Sequence, residues 1–95
     1  MYPAPDYFRN GYTMPRYYFY TADLYTREET QLTGGYHGVV TVDDDSKSAS
    51  DIFGEVTNML QSQTQDYIQE IARNNGQPAD PNLIYFVMKQ FYKVD

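Results

Sequence analysis

Cysteine and tryptophan are absent from this chain, and histidine occurs once, at position 37. Without thiols there is no disulfide framework, no Cys-ligated zinc or iron–sulfur site, and no thiol nucleophile. A lone imidazole leaves little from which to build a histidine-dependent dyad or triad. Cations are scarce as well: 7 Lys+Arg stand against 13 Asp+Glu, for a net charge of −6. That balance opposes general nucleic-acid binding, because a phosphate backbone rewards clustered positive charge. No run approaches the ~20 apolar residues of a membrane span. The opening Met1-Tyr-Pro-Ala-Pro-Asp lacks the basic and apolar segments of a secretory signal. A cytoplasmic protein with no membrane association is the expectation.

What the chain does have is aromatic mass, 11 Tyr and 5 Phe in 95 residues, a length suited to one domain. A ring content of 17% argues against an acidic disordered chain. Residues 1–16 read as an extended arm, since Pro3, Pro5 and Pro15 oppose helix and Asn10-Gly11 signals a turn. Tyr2, Tyr7, Tyr12 and Tyr17 recur every five residues. That spacing lines up on neither a helix face nor a strand face, so the repeat carries no stripe.

Residues 17–95 read as a single ββαβ domain. Tyr17 to Thr26 has the β-branched and aromatic composition of a strand, with Tyr18, Tyr20, Ala22 and Leu24 on one face. Tyr17, Phe19, Thr21, Asp23 and Tyr25 occupy the other. Arg27-Glu28-Glu29-Thr30 is a polar turn, and a second strand spans Gln31 to Val42 with Tyr36, Gly38, Val40 and Val42 sharing a face. Gly34-Gly35 marks a bulge and leaves the hairpin register open by a residue. A third strand, Leu83 to Val94, alternates Ile84, Phe86, Met88, Tyr92 and Val94 with Leu83, Tyr85, Val87, Lys89, Phe91 and Lys93.

Between the second and third strands, Ser48 with Asp51 three residues later has capping-box spacing. Ile52, Val56, Met59, Leu60, Tyr67 and Ile71 fall on one side of the helix that follows. Gln63 and Thr64 break that side midway, which predicts that part of the helix runs beyond the sheet. Gly54 suggests a close approach of helix to sheet. Asn74-Asn75-Gly76, with Pro78 beyond, is a stop. The expected fold is α+β, a three-stranded antiparallel sheet of order 2-1-3 packed on one long helix, with an extended N-terminal arm.

Little in this pattern carries chemistry. Asp43, Asp44 and Asp45 invite a calcium-loop reading, but Ala49 stands at the sixth position where the sharp turn requires glycine. A solvated turn near the positive end of the helix explains them better. Ser46, Ser48 and Ser50 lie in the loop and cap, and Glu28-Glu29 sits on a turn with no apolar pocket to raise a pKa. Gly34-Gly35-Tyr36-His37-Gly38 lacks the lysine of a phosphate loop and the dinucleotide spacing. The expectation is a non-enzyme with no cofactor and no metal.

The informative feature is the sheet face away from the helix. One helix covers one face, and the opposite face of an antiparallel sheet alternates to polar residues when it meets water. Here it is expected to carry Tyr17, Phe19, Tyr25, Tyr85, Val87 and Phe91, with Val39 and Leu83 beside them. An apolar patch of that kind marks an interface unless something of its own chain covers it. Three occupants compete, in descending order: the arm, a protein partner, and a single-stranded nucleic acid. The last would use the same rings with Arg9, Arg16, Lys89 and Lys93. The third strand is also expected to be a long apolar edge, so residues 83–94 are a candidate homodimer seam.

The arrangement resembles a class of short phage and prophage proteins of unknown function over about residues 17–95. The resemblance rests on the aromatic strand Tyr17-Tyr-Phe-Tyr-Thr-Ala22, the run Gly38-Val-Val-Thr-Val42, the capped helix start Ser48-Ala-Ser-Asp-Ile52 and the aliphatic last strand. The longer arm and the Tyr-rich first strand depart from it. It implies a ββαβ accessory protein of a mobile genome that acts by binding a host or phage component. Small acidic inhibitors, including anti-CRISPR proteins, are similar in size and charge.

Overall fold

The computed structural model describes residues 14–94. Most of the arm, Arg9 included, therefore lies outside the described residues. The elements are β1 (Arg16–Thr26), β2 (Gln31–Val42), α1 (Ala49–Asn74) and β3 (Ile84–Val94). Both sheet pairings are antiparallel and the strand order is β2-β1-β3, with the helix lying on one face. This is the architecture expected from the sequence.

The β1–β2 turn is tight: Glu29 N–H donates to the Thr26 carbonyl at 2.8 Å, and Thr26 N–H donates to the Thr30 carbonyl at 2.9 Å. Closing it holds Glu29 at φ 67°, a left-handed conformation that a side chain other than glycine resists. Further along the hairpin, Asp23 pairs with Gly35 but Tyr25 pairs with Gln31. Leu24 thus faces three β2 residues rather than one. Two extra residues leave the facing unchanged, so Leu32 and Tyr36 both remain under the helix. Gly35 is needed there, because a Cβ on it would stand 2.5 Å from the Ala22 carbonyl oxygen.

A second irregularity was not expected. Thr21 pairs with Gln90 while Ala22 pairs with Met88, so Lys89 is an extra residue bulged out of β3. One extra residue reverses every assignment downstream. Phe91, expected outward, turns under the helix, where its ring stacks on Tyr18 at 5.3 Å and meets Phe53 edge-on at 5.1 Å. Tyr92 and Val94, expected inward, turn outward opposite Phe19 and Tyr17. Lys93 moves to the helix side of the sheet, opposite Tyr18.

The helix begins as its sequence dictates. Ser48 Oγ accepts the Asp51 N–H at 3.1 Å, and the Asp51 carboxylate accepts the Ser48 N–H at 2.9 Å. It ends in a Schellman motif: Gln77 N–H donates to the Ala72 carbonyl, Gly76 N–H to that of Arg73, and Gly76 sits at φ 64°. Its fully covered residues are Ile52, Val56, Leu60, Thr64 and Ile68, a strict four-residue spacing. Such a row is inclined to the helix axis and lets the helix follow a twisted sheet. The break expected at Thr64 is therefore no overhang. Thr64 continues the row with its hydroxyl satisfied by the Leu60 carbonyl at 2.7 Å and the Tyr36 hydroxyl at 3.0 Å. Ile68, fully buried, takes the place expected for Tyr67, which is exposed. Gly54 makes no close approach, since among the described residues nothing lies within 4 Å of where its Cβ would be.

The core has two parts. Tyr18, Ala22, Val42, Ile52, Val56 and Leu60 form one, and Leu24, Ile68 and Ile84 the other. Tyr36 and Phe86 touch both and join them at the level of the Tyr36–Thr64 hydrogen bond. Leu83, expected on the far face, packs against the second part instead.

Candidate functional site

The outer face of the sheet is built by alternation on three strands. Along β1 it presents Tyr17, Phe19, Thr21, Asp23 and Tyr25; across from them stand Val39 and His37 on β2, and Tyr85, Val87, Gln90, Tyr92 and Val94 on β3. Five of the six residues expected there are found there, Tyr17, Phe19, Tyr25, Tyr85 and Val87. Phe91 is replaced by Tyr92. Val39 at 58% and Tyr92 at 51% are more exposed than any residue of the expected set on this face. The signal for Val39 was its parity in β2; no sequence signal pointed to Tyr92.

The face is divided. At one end Phe19 and Tyr92 meet with ring centroids 5.4 Å apart, flanked by Tyr17, Val39 and Val94. At the other end Tyr25 and Tyr85 stack at 5.6 Å, with Val87 next along the strand. A polar band crosses between them. Thr21 Oγ1 donates to Gln90 Oε1 at 3.3 Å, His37 faces Thr21 from β2, and Lys89 Nζ lies 3.8 Å from Asp23 Oδ2. The bulge helps to make this band, because it lets Lys89 and Gln90 stand side by side on one surface. Paired rings of this kind contribute beyond their buried area and hold each other in place.

The cations expected to serve nucleic acid are dispersed. Arg16 Nη2 donates to the carbonyls of Asp44 at 2.7 Å and Lys47 at 2.9 Å, which fastens the β2–α1 loop to β1. Lys89 stands on the outer face beside Asp23, Lys93 projects on the opposite side, and Arg9 lies outside the described residues. The acidic loop has its own occupation. Asp44 accepts from Ser46 Oγ at 2.6 Å and Ser46 N–H at 2.9 Å, hydrogen bonds that hold its carboxyl below the ordinary range. Lys47 pairs with Glu55 at 2.7 Å and is held above the usual ammonium range by that hydrogen bond. Among the described residues, no group of three or more His, Asp or Glu is placed to hold a metal ion.

A cavity of about 350 Å³ lies at the C-terminal end of the helix, floored by Ile71 and Leu83 and rimmed by Asn75, Gln77 and Pro78. Arg27 and Asp80, also in its lining, form an ion pair with each other. Asp80 further accepts the Asn82 N–H at 2.9 Å, so its carboxylate is committed to the loop. His37 is exposed on β2, while Ser46 and Ser48 are engaged in the loop and the cap. No helix among the described residues is long and apolar enough to cross a membrane. Comparison with known proteins returns no matching family model, no matching curated protein and no matching solved structure.

Proposed function

We propose that this chain is a small, acidic, non-enzymatic protein-interaction module that works through the outer face of its sheet. The observation that carries this reading is the pair of exposed aromatic and aliphatic clusters at the two ends of that face. Tyrosine suits such a surface, since it offers a large contact area with few rotatable bonds. A cytoplasmic accessory protein of a phage or prophage, binding and inhibiting host machinery, fits the arrangement, the size and the charge. Strand 83–94 offers an edge version of the same reading, but Lys89 and its bulge guard that edge. The face is therefore the better-supported surface. A single-stranded nucleic acid would need several cations beside the rings, and among the described residues only Lys89 stands there, next to Asp23.

The test is cross-linking mass spectrometry on the tagged chain expressed in its native host, wild type against Tyr85→Ala/Tyr92→Ala. Cross-links from Lys89 to a protein partner, lost in the variant while its melting temperature stays within a few degrees, are expected. A variant that keeps its partner would refute the face as the binding surface.

A further inference from the structure

We infer that the outer face docks a second copy of this chain, face to face, in a two-fold symmetric dimer. This rests on the reading of that face as the interaction surface and names its occupant.

Charge is the first support. Each copy carries a net −6, and the helix bears Asp51, Glu55, Asp66 and Glu70 against Arg73 alone. Two such bodies repel at most approaches. On the outer face the strand positions carry one acid and one base, Asp23 and Lys89, already within 3.8 Å of each other. A surface of zero net charge is where two copies can meet without that penalty, and a mixed Asp–Lys band is complementary to itself under a two-fold rotation.

Area is the second support. Strands of 11 residues at about 3.3 Å per residue, three abreast at about 4.8 Å, make a face of roughly 500 Å². Two copies then bury about 1,000 Å², the least that a biological interface should clear and the size of a weak, concentration-dependent dimer. A sheet-on-sheet stack also supplies what the described residues do not, a second layer over the outer face. The layout suits it, with apolar clusters at the ends and hydrogen-bonding groups in the middle that can pair across the seam.

The experiment is sedimentation equilibrium of the full chain from 1 µM to 1 mM, at 50 and 500 mM NaCl. Wild type, Val39→Glu, Tyr92→Glu and Tyr67→Glu are compared, each checked by circular dichroism. A dimer is expected that tightens with salt, because salt screens the repulsion between two acidic bodies. Val39→Glu and Tyr92→Glu are each expected to weaken it at least tenfold, while Tyr67→Glu, on the exposed side of the helix, leaves it unchanged. Val39 and Tyr92 together decide between face and edge. Val39 lies on β2 and Tyr92 on β3, the two outer strands, so loss with both substitutions excludes pairing through one edge alone. A dimer that survives Val39→Glu is not paired through the face and overturns the inference. A strict monomer at 1 mM overturns it too. Hydroxyl-radical footprinting of that monomer then tells why: protected Tyr17 and Tyr92 mean cover by the chain's own residues 1–13, and reactive rings mean an open face. If Lys89 still cross-links to a different protein in the host, the proposed function stands while the self-pairing fails.

Discussion

Tyr17 and Tyr18 are neighbours in the chain and chemically identical, yet they do opposite things. Tyr18 is 5% exposed, stacked on Phe91 under the helix, whereas Tyr17 is 42% exposed on the other side of the sheet. The same contrast runs through the whole sheet. One face is held by aliphatic side chains from α1 and is dense; the other carries rings of the same kind with no element of the described chain over them. Composition does not separate core from surface here. Position relative to the pleat does, and the pleat is reset once, at Lys89.

The largest effect should come from opening the dense side. Leu60→Ala removes a fully buried side chain from the first core part and should lower unfolding free energy by about 3 kcal/mol in urea melts. A loss below about 1 kcal/mol would mean that the two faces are not so different. Next comes the pair that reads the bulge. Phe91→Ala should lower stability by about 2 kcal/mol, and Tyr92→Ala by roughly 0.5 kcal/mol or less. The reverse order would return β3 to the regular alternation that its sequence suggests.

A gain is expected where the helix faces nothing. Gly54→Ala fills open space and should raise stability by about 1 kcal/mol, the ordinary helix preference for alanine, visible as a higher Tm. The smallest effect concerns acid. The Ser48 N–H donated to Asp51 holds that carboxyl below its usual value of 3.8. A depressed folded pKa gives stability that is fully present above the unfolded value and lost as pH falls through the folded one. The Tm difference between wild type and Asp51→Ala should therefore be constant above about pH 5. It should narrow toward zero below 3.8. A difference independent of pH would remove the carboxylate from the cap.

Which parts of this structure were legible beforehand follows from how each is encoded. The helix ends are local, written in Ser48, Asp51 and Gly76, and they formed where those residues stand. The β1 and β2 facings are also local, and Gly34-Gly35 announces its own irregularity. The Lys89 bulge has no such mark. No glycine accompanies it, and Phe91 next to Tyr92 gives an aromatic residue to either facing, so alternation fits both registers. Thr64 is hidden for a related reason: its polarity masks a buried helix residue whose hydroxyl is satisfied by Tyr36 from β2. Adjacent Tyr67 and Ile68 likewise offer two apolar choices, and the slant of the row along the helix selects the second. The site was legible wherever parity was; it failed at Phe91 and Lys93, downstream of the bulge, and at Leu83, just ahead of the strand.

The bulge also bears on how this chain tolerates change in length. Insertions and deletions inside a strand ordinarily turn its remaining side chains over, and a three-stranded sheet has few ways to absorb that. Lys89 is a spare letter in β3. With it deleted, Met88 opposite Ala22 and Gln90 opposite Thr21 become an unbroken ladder, and Phe91 keeps its place beneath the helix. The strand can thus lose a codon there and be read the same way, losing only the cation beside Asp23. Homologous sequences should differ in length by one residue at this point sooner than anywhere else in the sheet.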